Sequence, residues 1–437
     1  MTITPEAARA RLVDELRDSG RLTSPGVEAA FRSVPRHLFL PEMAASEAYQ
    51  DEAFVIKTGA DGLPVSSSSQ PAIMAIMLQQ LGLAPGHRVL EVGTGTGYNA
   101  ALMTHLVGER GSVVTVDIDA DMVARAQANL AAAGYLNVIV ICGDGGFGAP
   151  GYAPYDRLIV TAGAWDLAPE WLAELGPGGR IVLPLSVRGI QLCLALEREA
   201  GHWRSRSACR CGFIRMAGVF GSPEPFVPVG PQPGLRAQAD DGRPLDAGAL
   251  YDALTGPVID VPCGVQVAGL GELAEADLWV TLTEPGLVRL TIAGGEQRWS
   301  GVPSGGMLRG MSRGGMSRGR GLPLLPFGAL AGSGDLREPR WAGEFGVAAL
   351  MPARPWAPPA ERRRAESGIV VRGFGPAGGD LAQRLADRVC AWHERGRPRV
   401  SGLSVIAYPR PTPVTARPGQ TILDRRHTRL VLGWPAP

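Results

Sequence analysis

A glycine-rich turn between an apolar strand and a helix is the feature that most constrains the fold. The segment Val89–Gly97 reads VLEVGTGTG, and a helical pattern, NAALMTHLVG, follows it. Glycines at such a turn take positive φ and let the backbone approach a ligand without a Cβ clash. The segment therefore predicts a strand, a turn and a helix that hold a nucleotide-like cofactor.

Apolar strands alternate with helices around this turn. Strand patterns occur at residues 88–93, 112–119, 137–144, 155–163 and 180–185, and helical patterns at Pro5–Arg17, Ser24–Phe31, Pro71–Leu81 and 120–134, where Gly134 is the expected C-terminal cap. Such alternation predicts an α/β fold with a doubly wound, mostly parallel, Rossmann-like sheet.

The composition changes near Gly221–Pro233, where proline and glycine dominate. We therefore predict a first domain at 1–220, a linker at 221–235 and a smaller α+β C-terminal domain at 236–437. In the last part, residues 258–267, 278–292 and 402–409 have strand patterns, and residues 380–396 form an amphipathic helix pattern. The glycine- and arginine-rich segment Gly305–Gly321 and the charged segment Glu361–Arg364 are expected to be solvated.

The charge and composition exclude several classes of function. The formal net charge is +1, so we expect no general attraction to nucleic acid or to an anionic membrane. No apolar run approaches the length of a membrane span, and no signal peptide pattern opens the chain, so a cytoplasmic location is expected. The 6 cysteines and 6 histidines lack the spacing of metal motifs, and no metal site is predicted.

Acidic residues accompany the glycine turn. Asp117 ends the next strand, where its carboxylate can accept hydrogen bonds from ribose hydroxyls, and Asp144 follows the third strand. Glu91 begins the E-x-G-x-G-x-G form usual in S-adenosylmethionine (SAM) methyltransferases. The G-x-G-x-x-G of nicotinamide enzymes fails at Tyr98, although the looser form ending in alanine is met at Ala100. The spacing favours a methyltransferase and leaves a dinucleotide enzyme open.

Five further motifs resemble the protein-L-isoaspartate O-methyltransferase family. They occur in order over about residues 8 to 220, at Val34–Pro41 (VPRHLFLP), Ala48–Ala53 (AYQDEA), Ser69–Pro71 (SQP), Ala153–Ala162 and Gly178–Leu185. The resemblance implies a class I methyltransferase fold, SAM as cofactor, S-adenosylhomocysteine (SAH) as product, and a polypeptide carboxylate as acceptor. The expected cofactor-binding residues are Ser67, Gln70, Glu91, Gly93, Thr94, Gly95, Gly97, Asp117, Ile118, Gly143, Asp144, Gly145 and Thr161.

The resemblance also implies that Ser69 and Ser68 lie where the acceptor meets the methyl donor, and we predict them as catalytic residues. A carboxylate is already ionised at neutral pH, so methyl transfer to it needs orientation in a partly desolvated slot rather than a strong base. Ser69 is therefore expected to position the acceptor. The alternative is that the serine run Ser66–Ser69 caps the helix that starts at Pro71, a role that Ser69 or Gln70 could serve.

Two departures from repair enzymes of this family change the expected purpose. The loop before Pro71 is longer and carries Ser67 and Ser68 in place of a Thr-Ile pair, and the chain continues to residue 437. Both departures, with Arg372–Pro376 and Asp380–Trp392, resemble a subgroup found with ribosomally made peptides such as lanthipeptides, lasso peptides and graspetides. There, a precursor aspartate is esterified, and the next backbone nitrogen displaces the ester to give an aspartimide.

Three hypotheses follow from the sequence. The first is a peptide-tailoring enzyme whose partner is a modified or macrocyclic precursor peptide. The second is general repair of isoaspartyl residues in proteins. The third is a cofactor-binding regulatory or scaffold protein without catalysis. The sequence leaves open the target aspartate, the role of the C-terminal domain and the oligomeric state.

Overall fold

The computed structural model describes residues 3–60, 62–223, 226–231, 235–239, 243–292, 329–332, 346–352 and 367–435. The N-terminal half begins with helices and one hairpin, namely α1 (Pro5–Asp18), α2 (Pro25–Ser33), α3 (Ala45–Ala48), β1 (Phe54–Thr58) and β2 (Pro64–Ser68). Helices and strands then alternate through α4 (Pro71–Leu81), β3 (Arg88–Val92), α5 (Tyr98–Val107), β4 (Ser112–Asp117), α6 (Ala120–Ala132), β5 (Ile139–Cys142), β6 (Tyr155–Val160), α7 (Pro169–Glu174) and β7 (Leu175–Val187).

The later elements are mainly strands. They are β8 (Ile190–Glu199), β9 (His202–Cys211), β10 (Val227–Pro228), β11 (Leu235–Ala239), α8 (Ala247–Thr255), β12 (Val258–Val267), α9 (Leu270–Thr283), β13 (Leu287–Ile292), β14 (Ala329–Gly332), β15 (Gly346–Pro352), β16 (Ser367–Phe374), α10 (Gly378–Glu394), β17 (Ser404–Pro409), β18 (Gln420–Asp424) and β19 (Thr428–Gly433). None of the helices in the described part of the chain has the length and apolar character needed to cross a membrane.

Ten strands of the described residues form one mixed sheet in the order β18-β19-β17-β9-β8-β7-β6-β3-β4-β5. The strands from β7 to β5 pair in parallel, and the strands from β18 to β7 pair antiparallel. The predicted doubly wound α/β fold is confirmed. The sequence pattern located the strands of the parallel half, whereas in the antiparallel extension it located only β17 and did not place it in this sheet.

The central strands are apolar because helices cover both faces of the sheet. In β3 every residue after Arg88 is buried, as is usual for a parallel strand covered on two sides. One apolar core contains residues of α1, α2, α4 and α5, and a second on the other face contains Trp171 of α7. This layered core fixes the edge at which the parallel strands end.

Glycines end two of the covering helices. Gly82 caps α4 with a φ of 62°, and Gly134, with a φ of 82°, follows α6. The amide of Gly134 donates to Ala131 O and the amide of Tyr135 donates to Leu130 O, which is the Schellman arrangement. The predicted cap at Gly134 is confirmed.

A second, sheet-rich region lies beyond the alternating part. Its described strands are antiparallel in the order β10-β11-β13-β14-β15-β16-β12, and α9 and α10 accompany them. The amphipathic helix predicted at residues 380–396 is confirmed as α10, and the strands predicted at 258–267 and 402–409 are confirmed as β12 and β17.

The strand predicted at 278–292 is wrong in its first part. Residues Leu278 to Thr283 belong to helix α9, and only Leu287–Ile292 forms a strand. This helix is buried on most sides, from Leu273 to Leu282, so its sequence lacks a polar stripe. A short apolar run of that kind does not distinguish a buried helix from a strand.

The proposed limits of the two domains stay a prediction, and one observation bears on them. Strands β17, β18 and β19 come from the predicted C-terminal domain, yet they pair into the sheet that contains the glycine turn. Within the predicted linker, Val227–Pro228 pairs with β11. The segments Gly305–Gly321 and Glu361–Arg364 lie outside the described residues.

Candidate active site

The glycine turn between β3 and α5 has the backbone that its sequence predicts. The φ angles are 102° at Gly93, 52° at Gly95 and 87° at Gly97, which is the N-cap residue of α5. A Cβ at Gly93 would collide with Thr161 Oγ1, the group that donates a 2.6 Å hydrogen bond to Gly93 O. Thr161 follows β6, so the predicted residues Gly93 and Thr161 are in direct contact.

Glu91 lies behind this turn. Its side chain is fully buried and accepts 2.7 Å hydrogen bonds from Asn99 Nδ2 and Thr115 Oγ1. The hydroxyl of Thr94 lies 2.8 Å from that of Thr115 and completes the network. Burial raises the pKa of Glu91 to about 7. Glu91 therefore connects β3, β4 and the first turn of α5, and its predicted part in cofactor binding would be indirect.

Asp117 lies beside the same turn, at the end of β4. Its carboxylate accepts from the amide of Gly95 at 3.0 Å and from the amide of Asp119 at 3.0 Å. The next residue, Ile118, is 49% exposed, which is unusual for isoleucine and leaves an apolar side chain at this edge. Asp117 is therefore hydrogen-bonded to the glycine turn and Ile118 follows it in the chain, while their part in cofactor binding stays a prediction.

Residues Gly143, Asp144 and Gly145 lie at the neighbouring strand end. The amide of Gly143 donates to Asp117 O at 2.9 Å, and the Asp144 carboxylate accepts from the amides of Gly146 at 2.9 Å and Val219 at 2.8 Å. The carbonyl of Gly145 accepts a 2.8 Å hydrogen bond from Trp171 Nε1. Both predicted carboxylates therefore lie on one sheet edge.

The loop around Val219 was missed by the sequence reasoning. Gly218–Phe220 forms a short 3-10 turn after β9, and the amide of Val219 joins it to Asp144 at the cofactor edge. Its sequence, AGVFGS, carries no local signal for such a contact, because the partner lies 75 residues away along the chain.

The serine strand, β2, lies over the glycine turn. Ser67 O would be 3.6 Å from a Cβ at Gly95, an ordinary van der Waals distance. Ser68 pairs with Phe54 in the hairpin and is 4% exposed, and Ser69 is half-buried. The predicted acceptor residues and the predicted cofactor turn are therefore adjacent.

The cap of helix α4 comes from elsewhere. Gln70 is the N-cap residue, and its side chain makes no capping hydrogen bond. Instead, Asp51 Oδ1 accepts from the amide of Ala72 at 2.8 Å, while Gln70 Nε2 donates to Asp51 at 3.1 Å. The alternative that a serine caps this helix is not what the structure shows. Neither Ser68 nor Ser69 caps helix α4.

Arg36 lies directly behind the serine strand, although the sequence assigned it no role. Its guanidinium is fully buried, and Nη2 donates to Ser69 O at 3.1 Å, Glu52 O at 3.3 Å and Ser68 Oγ at 3.4 Å. The rings of Phe54 and Tyr98 lie 5.5 and 5.7 Å from its Cζ, within cation–π range. Burial lowers the pKa of Arg36 to about 10.

Lys57 connects the hairpin to the cofactor edge. Its Nζ donates to Asp119 at 2.7 Å and to Asp121 at 2.7 Å, at the start of α6. These ion pairs join β1 to the segment that directly follows Asp117 and Ile118. Across the described ranges, no group of three or more His, Cys, Asp or Glu residues is arranged to hold a metal ion.

Comparison with known proteins gives consistent findings. A family model described as Protein-L-isoaspartate(D-aspartate) O-methyltransferase (PCMT) matches residues 7–219. The protein-L-isoaspartate O-methyltransferase of Methanopyrus kandleri is 41% identical over 220 residues, which are 50% of this chain and 95% of that protein.

Two solved structures are similar to the chain. One, a protein-L-isoaspartate O-methyltransferase, has 22% identity and a TM-score of 0.47, and the match covers 91% of this chain and 96% of that one. The other is a structure from Plasmodium falciparum in complex with S-adenosyl-L-homocysteine, with 19% identity and a TM-score of 0.41. The match covers 47% of this chain and 97% of that one.

Proposed function

The chain belongs to the protein-L-isoaspartate O-methyltransferase family, whose members depend on SAM, and we propose that it methylates the free carboxylate of isoaspartyl residues in proteins or peptides. The observation that carries this proposal is the placement of β2 over the glycine turn. Ser67 O lies against Gly95, so a carboxylate held at Ser68 and Ser69 would be next to a ligand held by the turn.

The residues at the sheet edge fit the cofactor. A carboxylate has about four lone-pair sites, so Asp117 keeps capacity for ribose hydroxyls beyond its two amide hydrogen bonds. The space beside Gly143 is open, because a Cβ built there meets no atom within 4 Å. The exposed Ile118 offers an apolar surface for a flat ring. When bound, SAM supplies an electrophilic methyl group on a sulfonium.

The acceptor side then needs only to hold and orient a carboxylate. Ser68, Ser69 and the neighbouring backbone would hold one carboxylate oxygen in line with the methyl carbon that SAM would supply, and transfer with loss of the carbon–sulfur bond would give a methyl ester and SAH. Within the described residues Ser69 Oγ makes no hydrogen bond to the protein, so this hydroxyl is available to the acceptor. Serine hydroxyls and backbone amides orient a carboxylate without neutralising it.

A second candidate is the tailoring of a dedicated peptide. It is supported by the long loop before Pro71 and by the folded chain beyond residue 219, where the family match ends. In this reading an aspartate is esterified, the next backbone nitrogen attacks the ester carbonyl, and methanol leaves after the nitrogen loses its proton. The family relatives favour the isoaspartyl acceptor, so we place this candidate second.

Three peptides distinguish these proposals. The purified chain is incubated with SAM and an isoaspartyl peptide, the same peptide with L-aspartate, or a macrocyclic precursor peptide from the same genome, and methyl transfer is measured by mass spectrometry. We expect the isoaspartyl peptide alone to be methylated rapidly. Transfer only to the precursor would support the second candidate, whereas SAH binding with no transfer to any peptide would support a non-catalytic protein.

The Ser69→Ala variant tests the positioning role. We expect kcat to fall about tenfold, because one hydrogen-bond donor to the acceptor is lost, with the Kd of SAH unchanged. Ser66→Ala, on the same strand but further from α4, is the matched control. Weak SAH binding by Ser69→Ala would contradict the assignment of Ser69 to the acceptor.

A further inference from the structure

The last hairpin of the chain reaches the loop that contacts the cofactor edge. Strands β18 and β19 pair with each other, and the turn between them contains Arg425, Arg426 and His427. We call residues 425–428 the C-terminal turn. Because β19 pairs with β17 and β17 with β9, this turn is carried by the sheet that contains the glycine turn.

A buried carboxylate anchors the C-terminal turn. Asp166, in the loop after β6, is 1% exposed and accepts from the amide of His427 at 2.7 Å and from Thr428 Oγ1 at 2.5 Å. Arg425 is also buried, donates to Ser186 O at 3.1 Å and lies 4.6 Å above the ring of Trp165. A buried carboxylate requires such donors, so the backbone of the turn is held firmly.

The other side of the C-terminal turn touches the Gly218–Phe220 loop. The ring of His427 lies 5.3 Å from that of Phe220, and Arg426 Nη1 donates to Val219 O at 3.4 Å. Phe220 in turn lies 6.0 Å from the ring of Trp171, which donates to Gly145 O. Contacts therefore run from His427 through Phe220 and Val219 to Asp144 and Gly145.

We propose that the C-terminal turn is a positioning element for the nucleoside side of the cofactor site. The proposal rests on the cofactor-binding part of the proposed function, since Asp144 and Gly145 matter only if they line that site. The Gly218–Phe220 loop has little secondary structure of its own, and Gly218 has a φ of 82°. Contacts that hold such a loop in place before binding reduce the ordering cost that the cofactor would otherwise meet.

The test removes the His427 ring in the full-length protein. His427→Ala keeps the backbone hydrogen bond to Asp166 and loses the ring contact, so we expect the Kd of SAH by calorimetry and the KM for SAM to rise about three- to tenfold. We expect kcat at saturating SAM to stay unchanged, because β2 has no part in these contacts. His202→Ala is the control, since His202 contacts Tyr408 by a similar ring contact of 5.1 Å elsewhere in the sheet.

A double substitution identifies the route. If His427 acts through Phe220, the effects of His427→Ala and Phe220→Leu on SAH binding are not additive. An unchanged Kd in His427→Ala, an equal rise in His202→Ala, or additive effects would each overturn the proposal. Failure of the proposed function is a separate result, because a wild-type chain that binds SAH but methylates no carboxylate leaves this proposal intact.

Discussion

At the residue scale, Arg36 is the least expected side chain near the acceptor serines. No carboxylate of the described residues lies within ion-pair distance of its guanidinium, and the aromatic rings of Phe54 and Tyr98 flank it. Methyl transfer neutralises the acceptor, so a cation in direct contact with the carboxylate would reduce its nucleophilicity. A cation behind Ser68 and Ser69 still attracts a carboxylate into the slot.

We expect Arg36→Met to raise the KM for the acceptor peptide about tenfold, because the long-range attraction is lost. An apolar side chain of similar length in an aromatic surrounding often preserves folding, and an unchanged Kd for SAH would verify this. Arg36→Lys keeps the charge and should restore most of the acceptor affinity. Equal damage in both variants would show that shape rather than charge is what matters.

Glu91 gives a prediction about pH. Because burial raises the pKa of Glu91 from 4.5 to about 7 in the folded state, the folded protein binds more protons than the unfolded chain between these values. Protonated Glu91 therefore contributes to the free energy of unfolding in full below about pH 4.5, and this contribution is lost as the pH rises through about 7. The pKa shift corresponds to about 3 kcal/mol at most.

We expect Glu91→Gln to reduce this pH dependence. Glutamine keeps the hydrogen bond from Asn99 and carries no buried charge, so the free energy of unfolding should fall less between pH 5 and pH 8 than in the wild type. Chemical denaturation of both proteins at several pH values measures this free energy of unfolding. A wild type and variant with parallel profiles would mean that Glu91 is already ionised at pH 5.

At the element scale, the β1–β2 hairpin is a small unit that pairs only within itself among the described strands. Two links hold it over the glycine turn, Arg36 on one side and Lys57 on the other. The side chain of Lys57 is 34% exposed, so its ion pairs with Asp119 and Asp121 are weakened by salt. Loss of the Lys57 ion pairs should therefore loosen the position of the hairpin over the glycine turn, and with it the position of the acceptor carboxylate.

We expect Lys57→Met to lower kcat about two- to fivefold at low salt, with a smaller difference from wild type at high salt. The control is Arg125→Met. Arg125 lies on α6, the helix that contains Asp121, and its substitution removes an ion pair with Glu42 while the ion pairs of Lys57 stay intact. Steady-state rates at several salt concentrations give the answer. Equal losses in the two variants would point to a general effect on α6.

At the scale of the whole molecule, helix α9 joins the two sheet regions. Leu278 and Leu282 lie in the core of the first sheet, whereas Leu273 and Val280 lie in the core of the second. Arg210 of β9 donates to Ala274 O at 2.7 Å and to Asp277 at 3.1 Å. The helix is therefore buried on opposite sides, which is why its sequence resembles a strand.

The C-terminal strands make truncation a test of folding as well as of recognition. A chain that ends at Leu403 lacks β17 to β19, including the fully buried Val405 and Leu430. We expect its Tm to fall by about 10 °C or more and its SAH binding to weaken. A chain that ends at Trp434 is the control. Unchanged Tm and SAH affinity in the shorter chain would contradict the structural role of these strands.

Features that depend on local chemistry can be read from the amino-acid sequence alone. The glycines of Gly93–Gly97 required positive φ, the alternating apolar runs required a covered parallel sheet, and the Ser69-Gln70-Pro71 motif pointed to the family. Each of these signals lies within a few neighbouring residues. They were therefore readable without knowing what the rest of the chain does.

Features that depend on distant partners appear only in the folded molecule. The cap of α4 comes from Asp51, the charge behind the serines comes from Arg36, and the support of Asp144 comes from Val219 and the C-terminal turn. The link between Asp166 and His427 spans 261 residues. Such distant partners meet only when the folded sheet brings them together, and the burial that gives these contacts their strength exists only once the chain is folded.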